Sequence, residues 1–469
     1  MLFNSLSFLV FLPVVLLAIA LLPQRWRNGT LLLASYFFYG CWDWRFLGLL
    51  IGTTIIDYWV GKKIGATAAE PVRKRILLLS LAANLAVLGF FKYYNFFIAS
   101  ALALLERLGF EAHAPTLSII LPVGVSFYTF QSMSYTIDVY RRRTEPAQRF
   151  WDFALFVAYF PQLVAGPISR KGDLLHQLVK PVKVTAESVS SALMLILLGL
   201  TKKVLIADML AAEIERVFAH PGDFSAGVLL RAAYFFTFQI YCDFSGYSDM
   251  ARGVSRLFGV ELCINFNQPY LSQSITEFWR RWHISLSHWL RDYLYITLGG
   301  NRFGQWMTYR NLMLTMLIGG LWHGANWTFV AWGGLHGLYL AVERMLGVGH
   351  GAPSVSRPPW LAMVRRVALT VLTFHLATFA WIFFRAPSFA VAFEFIAGLC
   401  QFDHLSAVGP LPLLVGAVVL LLDIPQNASD DHTVFLRAPW WLQSPVYAAL
   451  CFAMILYGGR DIPFIYFQF

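Results

Sequence analysis

The chain has 469 residues, of which 58% are hydrophobic and only 13% are charged, and its mean hydropathy is +0.59. Soluble domains carry about 25% charged residues, so this composition excludes a soluble enzyme with a surface that faces water on all sides. At about 20 apolar residues per helical crossing, the hydrophobic content is enough for on the order of ten spans. The sequence therefore predicts an all-α polytopic membrane protein.

The net charge of +10 comes from 36 lysine and arginine residues against 26 aspartate and glutamate residues. The basic residues cluster between apolar runs, where the positive-inside rule places cytoplasmic loops. Because no basic and aromatic platform lies outside the apolar runs, nucleic acid is not a predicted partner. The five cysteines are scattered and lack CxxC spacing, which argues against a disulfide framework, a zinc site and a cysteine nucleophile.

The first third of the chain alternates apolar runs with basic loops. Loops rich in lysine and arginine at 62–75 and 141–149 are predicted to be cytoplasmic. The run over 150–168 has basic residues on both sides and contains Pro161 and Pro167. This pattern predicts a re-entrant hairpin, whose broken backbone a bilayer tolerates only where protein or a cavity surrounds it. The predicted spans before it cover residues 6–22, 30–41, 46–60, 76–105 and 117–139.

The later part of the chain predicts further crossings and one amphipathic helix. An acidic loop with Glu213, Glu215 and Asp223 is predicted to lie outside the cell membrane. Residues 272–298 place apolar side chains at helical spacing opposite charged ones, as in a helix at the membrane interface. The total is ten to twelve spans in a single membrane domain over residues 1–469. The remaining apolar runs cover 189–206, 228–241, 311–321, 327–342, 368–384, 389–400, 411–422 and 445–457.

His323 lies between the runs 311–321 and 327–342, which are each too short for a crossing and predict a kinked or paired element. Ionisable side chains at bilayer depth are costly, which makes this histidine a candidate functional residue. Glycines surround it and leave room for a substrate or for close helix packing. A histidine that only hydrogen-bonds a neighbouring helix fits the residues as well. The glycines are Gly319, Gly320 and Gly324.

His336 lies in a second glycine-rich run, thirteen residues after His323. At about 100° of rotation per residue, a straight helix would place the two histidines on different faces. We therefore predict that His336 is a packing residue. No histidine pair has the i, i+4 spacing with a carboxylate that a helical metal site needs, so the sequence predicts no metal.

The segment 278–293 concentrates arginine, histidine and tryptophan on the amphipathic helix. Its arginines suit two roles, because they can hold the phosphates of a cytoplasmic cofactor or meet anionic lipid. Helical periodicity places His283 on the more polar side and predicts a solvated ring. The arginines are Arg280, Arg281 and Arg291.

Two carboxylates, Asp243 and Asp249, lie beside the apolar run 228–241. Carboxylates in this setting can serve as acid–base groups or as a proton path. Pairing with Arg252 or Arg256 is the favoured explanation. The sequence contains no Walker loop, GxSxG elbow or dinucleotide-binding fingerprint, which removes support for nucleotide hydrolysis and for a serine hydrolase.

Taken together, these motifs resemble the membrane-bound O-acyltransferase (MBOAT) family, in its bacterial alginate O-acetyltransferase branch. The segment 280–293 is followed by Trp322-His323-Gly324, and His323 follows His283 by 40 residues. The branch also includes relatives that serve cellulose, peptidoglycan and teichoic-acid D-alanylation. Further motifs of the resemblance lie at 161–168, 243–249 and 463–469.

The resemblance implies a ring of about ten to twelve transmembrane helices around a central catalytic tunnel, with re-entrant and amphipathic interfacial helices. The implied catalytic core covers residues 117–345. His323 takes the catalytic position, and His283 takes the second active-site position, which is often Asn or Asp in eukaryotic members. A broken, dipping helix would turn His283 inward, against the periodicity.

The activity implied by the resemblance is O-acetyl transfer at a bacterial inner membrane. Acetyl-CoA is the expected donor substrate, with Arg280, Arg281 and Arg291 near its phosphates, and no cofactor is tightly bound. The expected acceptor is an exported polysaccharide, such as alginate or cellulose, or a periplasmic partner protein. D-alanyl or lipid acyl transfer within the same family stays open. So does a transporter or flippase of an acyl or glycan intermediate, because of the many spans and intramembrane polar residues.

Overall fold

The computed structural model describes residues 1–111, 113–180, 183–347, 358–458 and 462–465. Within these ranges the regular structure is helical and contains no strand, which confirms the all-α prediction. The chain divides into two compact units. The first unit comprises Met1–Ala192 and Ala251–Cys263, and the second comprises Leu193–Met250 and Ile264–Phe469.

The first unit buries a carboxylate between apolar helices. A buried carboxylate needs internal hydrogen-bond donors. Asp57 accepts hydrogen bonds from Ser80 Oγ at 2.8 Å and from Asn84 Nδ2 at 3.0 Å, which ties the third helix to the fourth. The helices are α1 (Leu6–Leu21), α2 (Arg27–Asp43), α3 (Arg45–Ala66), α4 (Glu70–Leu88), α5 (Tyr94–Arg107), α6 (Val125–Tyr140), α7 (Phe150–Ala158), α8 (Phe160–Leu163) and α9 (Lys171–Val179).

The predicted break in the segment 150–168 is present. Helix α7 ends at Ala158, Tyr159 has a non-helical backbone, and the short α8 follows, so the break begins two residues before Pro161. Residues 153–160 have no exposed surface. Protein therefore surrounds the irregular backbone, which is the condition for such backbone within a bilayer.

The second unit contains the 27-residue helix Pro359–Arg385 and most of the 32-residue helix Ala226–Leu257. Two π-helical segments, Thr201–Ala207 and Leu290–Tyr295, interrupt its helices, and such segments occur often at functional sites. Its helices, the first of which begins in the other unit, are α10 (Ala186–Leu200), α11 (Asp208–Ala219), α12 (Ala226–Leu257), α13 (Ile275–Arg281), α14 (Ile284–Trp289), α15 (Gly304–His323), α16 (Trp327–Met345), α17 (Pro359–Arg385), α18 (Phe389–Leu399), α19 (Leu411–Ser429) and α20 (Trp440–Tyr457).

Three predicted spans have the wrong extent. The run 189–206 continues through the π-helical segment Thr201–Ala207 into α11, so Glu213 and Glu215 lie on a helix and not in the predicted acidic loop. The run 117–139 is helical only from Val125, after Gly124 in the left-handed region at φ +74°. The run 228–241 belongs to the 32-residue helix α12, which continues past the polar residues that ended the apolar run. Asp243 and other polar residues beyond 241 are buried, so their partners lie inside the protein and the helix does not have to stop there.

Among the residues that the structure describes, five helical segments are long and apolar enough to cross a membrane. They support a multi-pass membrane protein. The predicted number of ten to twelve crossings stays a prediction, because several other helices in the described ranges are shorter or more polar. The five segments are Glu70–Arg107, Ala186–Ala219, Pro359–Arg385, Leu411–Ser429 and Trp440–Tyr457.

Candidate active site

His283 and His323 lie side by side in the second unit. Their ring centroids are 6.2 Å apart, and the ring planes are inclined at 68°. His283 has no exposed surface and His323 is 3% exposed. The two predicted site histidines are therefore buried together, close enough for one small group to contact both rings.

His283 lies at a break between α13 and α14, so the predicted continuous amphipathic helix is wrong at this point. Its backbone is left-handed, with φ +43° and ψ 54°. Few residues other than glycine adopt this region, and asparagine, aspartate and histidine do so most readily. The break turns the imidazole into the unit, so the solvated ring predicted from periodicity is also wrong. The residues predicted to form the apolar face of the amphipathic helix are buried, including Phe278, Trp282 and Leu286.

The loop before α13 holds this break in place. The backbone N–H of Ile284 donates to the carbonyl oxygen of Asn265 at 3.0 Å. The Asn265 side-chain oxygen accepts from the backbone N–H of Ser285 at 3.1 Å and from its hydroxyl at 3.0 Å. Asn265 therefore caps α14 beyond the break, because it satisfies an N–H group at the start of that helix.

His323 is the last residue of α15, and α15 and α16 form the predicted paired element. Gly320 and Gly333 face each other across the pair. A Cβ atom on Gly320 would lie 3.2 Å from the Cα of Gly333 and closer still to the carbonyl oxygen of Phe329. For Gly320, the structure therefore supports close helix packing, and not space for a substrate, as the reason for a glycine.

Aromatic side chains enclose both imidazoles. The rings of Trp332 and Phe384 lie 5.0 Å and 5.4 Å from the ring of His323, measured between centroids. The ring of Phe244 lies 4.7 Å from His283. Burial lowers the pKa of His283 to about 3, because the apolar surroundings disfavour the charged ring. His283 is therefore neutral near pH 7.

His336 packs in the same aromatic cluster. It has no exposed surface, and its Nδ1 accepts a hydrogen bond of 3.3 Å from the indole N–H of Trp279. Its ring lies 5.0 Å from Trp332, which also contacts His323. His323 and His336 do not lie on one straight helix, as the predicted rotation between them assumed. The turn between α15 and α16 brings both histidines into contact with Trp332. The hydrogen bond agrees with the predicted packing role.

The three predicted donor-binding arginines differ in their environment. Arg281 forms an ion pair with Glu277 at 2.9 Å, and Arg291 forms one with Asp292 at 2.7 Å. Arg280 is exposed and forms no ion pair with a residue in the described ranges. An incoming anion therefore meets Arg280 without displacing a carboxylate.

A cluster of buried charges lies along α12, close to Phe244. The Lys203 ammonium group contacts Asp243 at 2.6 Å and Asp208 at 2.7 Å. Lys202 contacts Asp249 at 2.8 Å. Each of these five side chains is at most 7% exposed. The cluster joins the π-helical segment Thr201–Ala207 to α12.

These contacts correct the expected partner of Asp243, which pairs with Lys203 and not with an arginine. Arg256 pairs with Glu261. In the sequence, Lys202 and Lys203 lie within the apolar run 189–206, and two lysines in such a run indicate buried carboxylate partners. The backbone N–H of Ile465 also donates to Asp243 at 2.9 Å, whereas residues 466–469 of the terminal motif lie outside the described residues.

Residues 148–384, about half of the chain, match the model of the membrane-bound O-acyltransferase family. They include both histidines and the helices that hold them. The chain belongs to this family and is an acyltransferase, as the motifs predict.

Several relatives with assigned names are similar over most of the chain. The probable alginate O-acetylase AlgI of Pseudomonas aeruginosa is 46% identical over 428 residues, which cover 90% of this chain and 80% of the relative. The protein of the same name from Azotobacter vinelandii is 47% identical over 405 residues, 86% of this chain and 78% of the relative. The peptidoglycan O-acetyltransferase of Helicobacter pylori is 37% identical over 438 residues, 87% of this chain and 81% of the relative. This chain therefore falls in the O-acetyltransferase branch of the family.

Proposed function

We propose that this acyltransferase moves acetyl groups from acetyl-CoA to hydroxyl groups of an exported polysaccharide, such as alginate or cellulose. Relatives named for alginate O-acetylation and peptidoglycan O-acetylation support the acetyl group and the polysaccharide acceptor. The observation that carries the proposal is the buried pair of His283 and His323 within the part of the chain that matches the family. Transfer proceeds directly or through a periplasmic partner protein.

The proposed chemistry is general acid–base catalysis by His323. Its neutral imidazole takes the proton of the acceptor hydroxyl as the oxygen attacks the thioester carbonyl, and the proton then passes to the departing sulfur. The C–S bond breaks and a C–O bond forms, so the products are an O-acetyl ester and the free thiol of CoA. His283, 6.2 Å away between ring centroids, orients the acceptor or donates a hydrogen bond to the oxyanion of the tetrahedral intermediate.

The proposed setting is a bacterial inner membrane that the chain crosses ten to twelve times around a catalytic tunnel. Basic loops face the cytoplasm, and the end of α11 that carries Glu213 and Glu215 faces outward. Acetyl-CoA and the acceptor then approach from opposite sides and meet at the histidines. Acetyl-CoA is a substrate in this scheme, and no tightly bound cofactor takes part.

Purified full-length protein in proteoliposomes tests this proposal. Acetyl-CoA labelled in its acetyl group is supplied on one side and an unacetylated alginate oligosaccharide on the other. The label is expected on the oligosaccharide, together with an equal amount of free CoA. Movement of intact oligosaccharide without thioester cleavage would indicate a transporter. Faster transfer from a D-alanyl or long-chain acyl thioester would assign a different donor, and both results would overturn the proposal.

Replacing Arg280 with alanine is expected to raise the KM for acetyl-CoA. Hydrogen bonds to charged groups contribute about 1.5–3 kcal/mol, which corresponds to roughly a ten- to hundredfold change in affinity. The measurement is the KM for acetyl-CoA in the thioester-cleavage assay at low salt. Arg302→Ala is the matched control, since Arg302 is another exposed arginine of the same unit. An unchanged KM in Arg280→Ala, or equal changes in both variants, would assign Arg280 to lipid or to general charge effects.

A further inference from the structure

A pocket of about 320 Å³ with both polar and apolar walls lies in the second unit, and neither site histidine lines it. This volume is in the range of small-molecule binding sites. Helix α11 contributes one face, on which Asp208, Ala211, Ala212 and Glu215 recur at helical spacing. The two alanines keep the space open because their side chains are small. The other walls include Gln239 and Asp243 of α12, Arg385 of α17 and the described residues near Ile465.

The polar groups of the pocket are held in fixed positions by ion pairs. Lys203 holds Asp208 at 2.7 Å and Asp243 at 2.6 Å, and both carboxylates are at most 6% exposed. At the more exposed side, Arg385 pairs with Glu215 at 2.5 Å. The pocket therefore presents two buried carboxylates whose positions Lys203 sets before a ligand arrives, and a guanidinium–carboxylate pair at its more exposed side.

Gln239 adds a polar group that the protein itself leaves available. Its amide lines the pocket and makes no hydrogen bond to another residue in the described ranges. A primary amide offers two N–H donors and one carbonyl acceptor. A ligand in the pocket can therefore exchange hydrogen bonds with Gln239 at no expense to the fold.

The pocket adjoins the histidine site through two aromatic residues. Phe244 follows Asp243 and lies 4.7 Å from His283. Phe384 precedes Arg385, and its ring centroid lies 5.4 Å from that of His323. Successive side chains of a helix point about 100° apart, so α12 and α17 present the pocket on one side and the histidines on another. A ligand in the pocket is a neighbour of the reaction centre and does not occupy it.

We propose that this pocket binds a sugar unit of the polysaccharide acceptor and so holds the acceptor chain beside the histidines. This inference rests on the proposed function. Sugar hydroxyls donate and accept hydrogen bonds, which matches the carboxylates, the guanidinium group and the amide. Aliphatic residues such as Ile214 and Ile462 provide apolar walls for the C–H faces of the ring.

The charge of the pocket separates it from the donor site. Three carboxylates and one guanidinium group line the pocket, and together with Lys203, which pairs with two of the carboxylates, they have a net formal charge of −1. This balance disfavours the phosphates of acetyl-CoA, and it favours a neutral sugar unit over an anionic uronate unit. Glu215 lies on α11, four residues before this helix ends at Ala219, and the sequence predicts that this end lies outside, on the side from which the acceptor approaches.

Filling the pocket tests this assignment. Unacetylated alginate trisaccharide and neutral cellotriose are titrated into purified full-length protein in detergent, without acetyl-CoA, and the Kd is measured by calorimetry. Ala212→Phe is expected to weaken binding at least about tenfold, because the phenyl ring occupies the space of the sugar. Gln239→Leu, which removes hydrogen bonds and adds no bulk, is expected to weaken it by about three- to tenfold.

Met209→Phe is the matched control, because Met209 lies on the same helix, is 44% exposed and does not line the pocket. It is expected to bind both probes as the wild type does. Equal affinity in the wild type, Ala212→Phe and Gln239→Leu would overturn the pocket assignment, and so would the absence of binding to the wild type. Pocket-dependent binding without any cleavage of acetyl-CoA would instead contradict the proposed function alone.

Discussion

Replacing His323 with alanine is expected to reduce acetyl transfer by about 10²–10⁴-fold, the contribution of a positioned general base. The imidazole is 3% exposed within an aromatic enclosure, so the variant lacks the group that takes the acceptor proton in a place closed to bulk water. The measurement is the initial rate of CoA release by purified full-length protein at saturating acetyl-CoA and acceptor. The melting temperature of the same sample shows whether the fold survives.

His336→Ala is the matched control for this experiment. It removes a second fully buried imidazole from the aromatic cluster, at a distance of 5.0 Å from the same Trp332. Both variants leave a cavity and lower the melting temperature. His336→Ala is expected to keep most of its activity. Full activity in His323→Ala, or an equal loss of activity in two folded variants, would contradict the role of His323.

Replacing Lys203 with methionine is expected to lower the free energy of unfolding by about 3–5 kcal/mol, as for other buried ion pairs that lose one partner. The change leaves Asp208 and Asp243 buried without the cation that contacts both of them. The free energy of unfolding is measured by denaturant titration of the purified protein in detergent, and the melting temperature gives a second reading.

Two further variants decide whether the buried charge is the cause. Lys74→Met removes an exposed lysine and is expected to leave stability unchanged. The triple variant Lys203→Met, Asp208→Asn and Asp243→Asn removes Lys203 together with both of its partner charges and is expected to recover part of the lost stability. If Lys203→Met and Lys74→Met were equally stable, the ion cluster would not stabilise the second unit.

The candidate site could be predicted only in part from the sequence. His323 was recognisable because a histidine in a glycine-rich apolar run is unusual. The periodicity of 272–298 gave the wrong environment for His283, because it assumes a continuous helix. The break depends on Asn265, which lies eighteen residues upstream and caps α14 through tertiary hydrogen bonds. Only the family resemblance pointed to an inward-facing His283.

The extent of the helices was less predictable than their existence. Hydropathy treats Asp243 as a polar residue that ends an apolar run, and α12 nevertheless continues to Leu257. The reason is a tertiary one, since Lys203 supplies the opposite charge from another helical segment. Hydropathy also averaged over Lys202 and Lys203 within an apolar run, although these two lysines indicate buried carboxylates elsewhere in the unit.

The left-handed backbone at His283 limits which amino acids evolution can place at this position. Branched aliphatic residues are strained in this conformation, whereas asparagine, aspartate and histidine tolerate it. These three are also the residue types that the family resemblance associates with the second active-site position. Apart from glycine, the helix break thus favours side chains that can form hydrogen bonds. Exchanging histidine for asparagine or aspartate at this position therefore changes the functional group and keeps the left-handed backbone.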